Sequence, residues 1–261
     1  MNEIIARRAF TPLYIWLDIA FLVIFMLLLV RRRRYMALFV GWIMGLVYMI
    51  VDYGIFHLWL ESRSISEGHS LFWVLLWMSI SYGFTNFAWI WLWMDQDEHL
   101  REWTLLIVGW WFCCPHIAQT FSQGVEPIII QRTTSSYHGG MALILFVSYL
   151  GVIIYNVLQD NPWRRIKIGR LLIIGICVQF GWELALLLGG IRSYGFPLEQ
   201  KLRTLVVNSL LETNLGMPAA FAIYIALSRK VDHRLHRQEP VLSFGDRLEA
   251  YNRQTTRASA R

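Results

Sequence analysis

Seven stretches of the chain, about 13–30, 35–60, 71–94, 103–123, 138–158, 171–191 and 204–227, are apolar over lengths near the roughly 20 helical residues that cross a hydrocarbon core of about 30 Å. Backbone inside a bilayer must satisfy its hydrogen bonds internally, so each stretch predicts a helix. Little of the chain is left for anything else. Of 261 residues, 56% are hydrophobic and 16% charged, against about a quarter charged in an average soluble domain. The predicted fold class is all-α, a polytopic bundle of seven transmembrane helices over residues 1–228. Composition disfavours a disordered chain, a nucleic-acid module and an ordinary water-soluble enzyme. An integral membrane protein of the cell (plasma) membrane is expected, with membrane lipid as a partner and no nucleic acid.

The basic residues sort by membrane side. Residues 31–34, 95–102, 159–170 and 228–261 carry seventeen of the 24 Lys and Arg residues. Cytoplasmic loops hold the excess of such residues, which places the N-terminus outside and the C-terminus in the cytoplasm. Arg31, Arg32, Arg33 and Arg34 read as an orientation signal near anionic lipid rather than a binding site. Residues 229–261 are basic and too poor in apolar side chains to bury a core, which predicts a disordered cytoplasmic tail. Tryptophans near the predicted borders, Trp16, Trp59 and Trp73 outside and Trp91, Trp93, Trp103 and Trp163 inside, read as aromatic belts. Cys113, Cys114 and Cys177 lie in apolar runs and read as packing residues.

Ionisable groups inside a span are expensive, about 2.5 to 3.5 kcal/mol for Asp at the centre, and need partners or a wet cavity. Asp18, Asp52, Glu183 and Glu212 fall within spans one, two, six and seven. At 1.5 Å per residue from the outer borders, Asp52, Glu183 and Glu212 all lie about 12 Å deep, and Asp18 lies about 9 Å deep. Each deep acid has a polar neighbour four residues earlier and on the same helix face: Tyr48, Gln179 and Asn208. His116 on span four and Asn214, just after Glu212, join them. The economical arrangement gathers these side chains around one cavity in the outer half of the bundle, with Asp52, Glu183 and Glu212 as candidate catalytic groups. Tyr48, His116, Gln179, Asn208 and Asn214 are then candidate substrate contacts.

Two regions carry a family resemblance. Asp52-Tyr53-Gly54-Ile55-Phe56, then Ser62-Arg63-Ser64, then Leu71-Phe72-Trp73-Val74-Leu75-Leu76 gives an acid, a short outer loop and a Phe-Trp-rich third span. Glu212 opens a Gly-containing, aromatic-bearing helix that closes at Arg229-Lys230. With seven spans in about 250 residues, this order resembles the small integral-membrane terpene cyclases of fungal meroterpenoid and indole-diterpene pathways. The resemblance implies that Asp52 and Glu212 are paired carboxylates that protonate an epoxide or alkene and steer cyclisation. It covers less than half of the chain. Val51-Asp52 stands where that family has a Trp-Glu pair, and Trp182-Glu183 stands on the sixth span instead.

Three functions fit these residues. The first is an acid–base enzyme acting on an apolar, lipid-like or terpenoid small molecule, with one carboxyl as general acid and a second carboxylate steadying cationic charge. Phe56, Tyr82 and Trp182 are candidate pocket aromatics. The second is a transporter or binding protein for a proton, cation or cationic solute. The third is a non-catalytic scaffold whose acids pair with Arg63, Arg192 or Arg203. No HExxH, paired-His or Cys-x-x-Cys spacing supports a metal, and no P-loop or GxGxxG supports a nucleotide, so no cofactor is expected. Glu183→Gln and Glu212→Gln are expected to fold and to lose activity on the first two readings.

Overall fold

The computed structural model describes residues 5–133, 138–159 and 165–235. Its helices are α1 (Pro12–Arg31), α2 (Tyr35–Met49), α3 (Leu71–Asp95), α4 (Leu100–Phe121), α5 (His138–Leu158), α6 (Ile168–Leu188) and α7 (Leu198–Leu235). α2 continues without a break as a π-helix over Ile50–Trp59. Helix positions agree with the seven predicted stretches, with ends displaced by up to three residues except in α7, which starts six residues earlier and runs eight further. Five helical segments are long and apolar enough to cross a membrane: α1, α2 with its π-helical extension, α3, residues 139–158 of α5, and α6. The chain divides into two units, Met1–Ala219 and Ala220–Arg261. Of the second, residues 220–235 are described and continue α7, so helix persists past the predicted domain end at residue 228. Residues 236–261, most of the predicted tail, lie outside the described residues, as do Trp163 and Arg164.

An all-α fold is not what forms at one end of the bundle. Three short strands, β1 (Ile5–Phe10), β2 (Arg63–Ile65) and β3 (Ile128–Thr133), make an antiparallel sheet in the order β1-β3-β2. The register pairs Phe10 with Ile128 and Arg8 with Ile130, and Arg63 with Arg132 across the other edge. The Ile128-Ile129-Ile130 run supplies β-branched residues that suit a pleated surface. Its alternation buries Ile128 and Ile130 and leaves Ile129 half-buried, as a period of two requires. The link between α6 and α7 joins the same layer: an isolated bridge pairs Arg8 with Arg192, and Ala9 N–H donates to Ile191 O at 3.0 Å. This β-cap therefore ties together four segments from the same end of the bundle, each of which the sequence assigned to the outer side.

The opposite end is tied by charge. Arg34 pairs with Asp97 and, at 2.9 Å, with Glu98, while Arg170 donates to Trp93 O at 3.0 Å. The orientation signal at residues 31–34 is thus also a structural contact to the α3–α4 link. The tryptophan belts divide in the same way. Trp16, Trp59 and Trp73 are exposed, whereas Trp91 and Trp103 are buried in the core and Trp93 is half-buried. Burial of Trp103 follows from its indole N–H donating to Asp97 Oδ1 at 3.1 Å and its edge contact with Phe25.

α3 is the central helix, buried at every position from Ser81 to Leu92. That stretch includes Ser81, Thr85 and Asn86 among apolar side chains, and α1, α2, α4 and α6 all pack against α3. Small residues bring α2 against it: a Cβ on Gly83 would lie 2.9 Å from Gly45 Cα, and one on Gly41 would lie 2.8 Å from the Phe84 ring. Gly83→Ala is expected to cost about 1–3 kcal/mol, because the obstructing atom is backbone and has no flexible end to move aside. Gly109→Ala in α4, where a Cβ meets nothing within 4 Å, is expected to stabilise by about 0.5–1 kcal/mol. Thermal unfolding of the two variants in one detergent checks the contrast. α5 shows the opposite character, exposing Leu143, Ile144, Phe146, Val147 and Ile154 as an apolar surface.

Candidate functional site

The site lies under the β-cap in the first unit. Asp52 sits in the first turn of the π-helix, where i→i+5 bonding re-aims side chains relative to the α-helix before it. Its Oδ1 accepts from Arg63 Nη2 at 2.6 Å, and the phenol of Tyr82 reaches its Oδ2 at 3.5 Å. β2 delivers Arg63. That guanidinium also lies over the Phe56 ring, 4.6 Å from the centroid, and Ser62 Oγ anchors the strand by donating to Phe56 O at 2.7 Å. Asp52 and Arg63 are both buried.

A second cluster joins α6 to α7. The amide nitrogen of Gln179 donates to Glu212 Oε2 at 2.9 Å and to Glu183 Oε1 at 3.3 Å, so one side chain bridges the two carboxylates. Thr213 Oγ1 donates to Gln179 Oε1 at 2.5 Å, which fixes the amide in this orientation. Glu183 is fully buried and meets Arg192 Nε at 2.8 Å, while Glu212 lies 3.9 Å from Arg192 Nη2. The turn after α6 places Arg192, and its Arg8 bridge holds that turn to β1. Buried acids are thereby compensated by arginines from the cap, as their desolvation demands.

The two clusters approach each other through aromatic side chains and through Arg192, but the expected single cavity around all three acids does not form: of three neighbouring cavities, Asp52 lines the first, and Glu183 and Glu212 line none. Tyr82, the partner of Asp52, stacks on Trp182 at 6.0 Å, next to Glu183 in sequence. The first is small, about 20 Å³, and is lined by residues that include Arg8, Asp52, Arg63, Met78, Gln131 and Arg192. A second of about 20 Å³ shares Arg8 and Met78 and reaches Asp18, Tyr14 and Trp182. A third, about 130 Å³, shares Phe10, Tyr14 and Ile191 with the second and is walled largely by Ala9, Pro115, Ala118 and Tyr194. Neighbouring cavities thus share wall residues, in an order from arginine-rich to apolar.

Not every side chain singled out in the sequence joins this site. Gln179 does, and Asn208 does by donating to Glu183 across helices at 3.4 Å, rather than acting only along its own helix toward Glu212. Tyr48 packs its ring edge-on against Tyr82 at 4.8 Å. His116 is a correction: it is exposed on α4, away from the cavity linings, because Cys114, Pro115 and Ala118 take the inward face. Asn214 is another. Its amide bonds back to Ser209 O and Leu210 O on its own helix, and it fills the space that Gly175 leaves open. Asp18 forms a separate buried group, accepting from Trp77 Nε1 at 2.9 Å and Ser81 Oγ at 2.5 Å. Sequence reasoning missed Arg8, whose only signal was its place beside the first span. Among the described residues, no group of three or more His, Cys, Asp or Glu side chains is arranged to hold a metal ion.

No family model, curated protein or solved structure matches the chain.

Proposed function

We propose that this is a seven-span integral membrane protein of the cell membrane, cap outside and C-terminus in the cytoplasm, that performs acid–base chemistry on a lipid-like substrate. The observation that carries the reading is the shared Gln179 amide between Glu183 and Glu212. One amide donor shared by two carboxylates holds both acids at a single site. Arg192 holds Glu183 tightly and Glu212 loosely, so Glu183 is the fixed anion and Glu212 the working acid or base. The apolar cavity walled by Ala9, Pro115, Ala118 and Tyr194, about 130 Å³, supports a substrate with a hydrocarbon portion, since ligand pockets are lined mainly by apolar groups. A terpenoid, which the cyclase resemblance implies, belongs to that class. A cation-transport role gains nothing from a cavity faced by three arginines.

The test is lipid and terpenoid profiling of cells that carry the wild type, Glu212→Gln or no protein. The expected result is at least one species whose abundance depends on the wild type and reverts with Glu212→Gln, at equal protein in the membrane. An identical profile for Glu212→Gln and wild type contradicts the reading. The ion pairs Asp52–Arg63 and Glu183–Arg192 favour a second reading, a scaffold in which these groups fasten the cap to the helices. On that reading no small molecule changes and only stability responds.

A further inference from the structure

Three arginines face the first cavity, and they are not equally engaged. Arg63 meets Asp52, and Arg192 meets Glu183 and Glu212. Arg8 instead rests over the Tyr82 ring, 5.8 Å from the centroid. Its side chain is more than nine-tenths buried, and its Nε finds no hydrogen-bond partner among the described residues. A buried guanidinium with an unmet donor carries a desolvation penalty that an anion relieves. Arg8 also lines the second cavity, so it stands where the arginine-rich end gives way to the apolar run.

We propose that Arg8, with Arg63 and Arg192 on the walls, forms a site for a phosphate group in the cavity beneath the β-cap. A guanidinium suits this ligand because its planar fork matches phosphate oxygens and stays charged at every physiological pH. The polar end is small and admits no more than a phosphate group, not a whole lipid. A phosphate monoester on a lipid would place its acyl chains toward the apolar end, whereas a free phosphate would occupy the polar end alone. Gln131 from β3 and Asp52 complete the polar wall, with Asp52 held by Arg63. The inference goes beyond the acid–base reading and does not need it, because binding is measured without turnover.

The experiment uses the full chain in two preparations. Thermal stabilisation is titrated with inorganic phosphate in detergent, and with phosphatidic acid in phosphatidylcholine nanodiscs. Binding of phosphatidic acid alone assigns a lipid headgroup, and an equal response to inorganic phosphate assigns a free anion; either result supports the site. Arg8→Gln is expected to weaken binding about tenfold or more, as loss of a charge-assisted hydrogen bond does, and Arg8→Lys to recover part of it. If Arg8→Gln does not fold, Gln131→Glu, which adds a negative charge to the same wall, is expected to weaken binding by at least as much. No stabilisation of the wild type by either ligand overturns the site, as does binding unchanged in Arg8→Gln or, where that variant is unfolded, in Gln131→Glu.

Discussion

Arg192→Met is expected to destabilise the folded protein by about 3–5 kcal/mol, the range seen when one partner of a buried pair is removed. The reason is the company it leaves behind. Glu183 is fully buried and Glu212 is bridged to it by one amide, so the variant strands two like charges in apolar surroundings. A melting midpoint lower by on the order of 10 °C is the corresponding signal for a chain of this size. Glu183→Gln should cost less than Arg192→Met, because Arg192 then still has Glu212 at 3.9 Å. The structure thus separates two variants that the sequence treated alike: Glu212→Gln tests chemistry, whereas Glu183→Gln also tests folding. Thermal unfolding of all three in one detergent decides it, and a wild-type midpoint for Arg192→Met contradicts the assignment.

Asp52→Leu is expected to have a comparable effect, again about 3–5 kcal/mol, since it leaves the buried Arg63 guanidinium uncompensated and loosens β2 from the π-helix. Glu98→Ala is the matched control at the other end of the bundle. Its ion pair with Arg34 has a similar length, 2.9 Å, but the Glu98 side chain is 69% exposed, and such surface pairs contribute about 0–1 kcal/mol. Measured side by side, the two variants separate the effect of burial from the effect of pairing. Equal losses would mean that Asp52 is wetter than its position under the cap implies.

The helices were legible in the sequence because apolar length leaves a chain in hydrocarbon little choice of structure. Their ends follow charged and turn residues, which is why α1 and α3 match within a residue or two. The Glu183 and Glu212 cluster was legible from depth alone: two acids at one level on sequential helices, each with a polar neighbour, have few ways to avoid each other. The cap was not. Its strands are three to six residues long and sit in links with no sustained period, and each acquires meaning only by pairing with a segment more than 50 residues away. Arg8 was invisible as a cavity group for the same reason, since a β-bridge brings it to Arg192, whereas Arg192 was already expected as a partner of the acids. Tyr48 and Asp52 both reach Tyr82 on α3, a partner that spacing along their own helix could not name. His116 misled because a polar residue between aromatics in an apolar stretch looks inward-facing, while Pro115 and Ala118 hold that face.

The central claim is that arginines delivered by the cap hold the buried carboxylates in place. A double-mutant cycle on Glu183→Gln and Arg192→Met, read as unfolding free energy, tests it most directly. A direct pair gives a double variant more stable than the sum of the single losses implies, with a coupling of about 1–3 kcal/mol. Losses that add to within about 0.5 kcal/mol would mean that the two side chains do not meet, and the account of the site would fail with them.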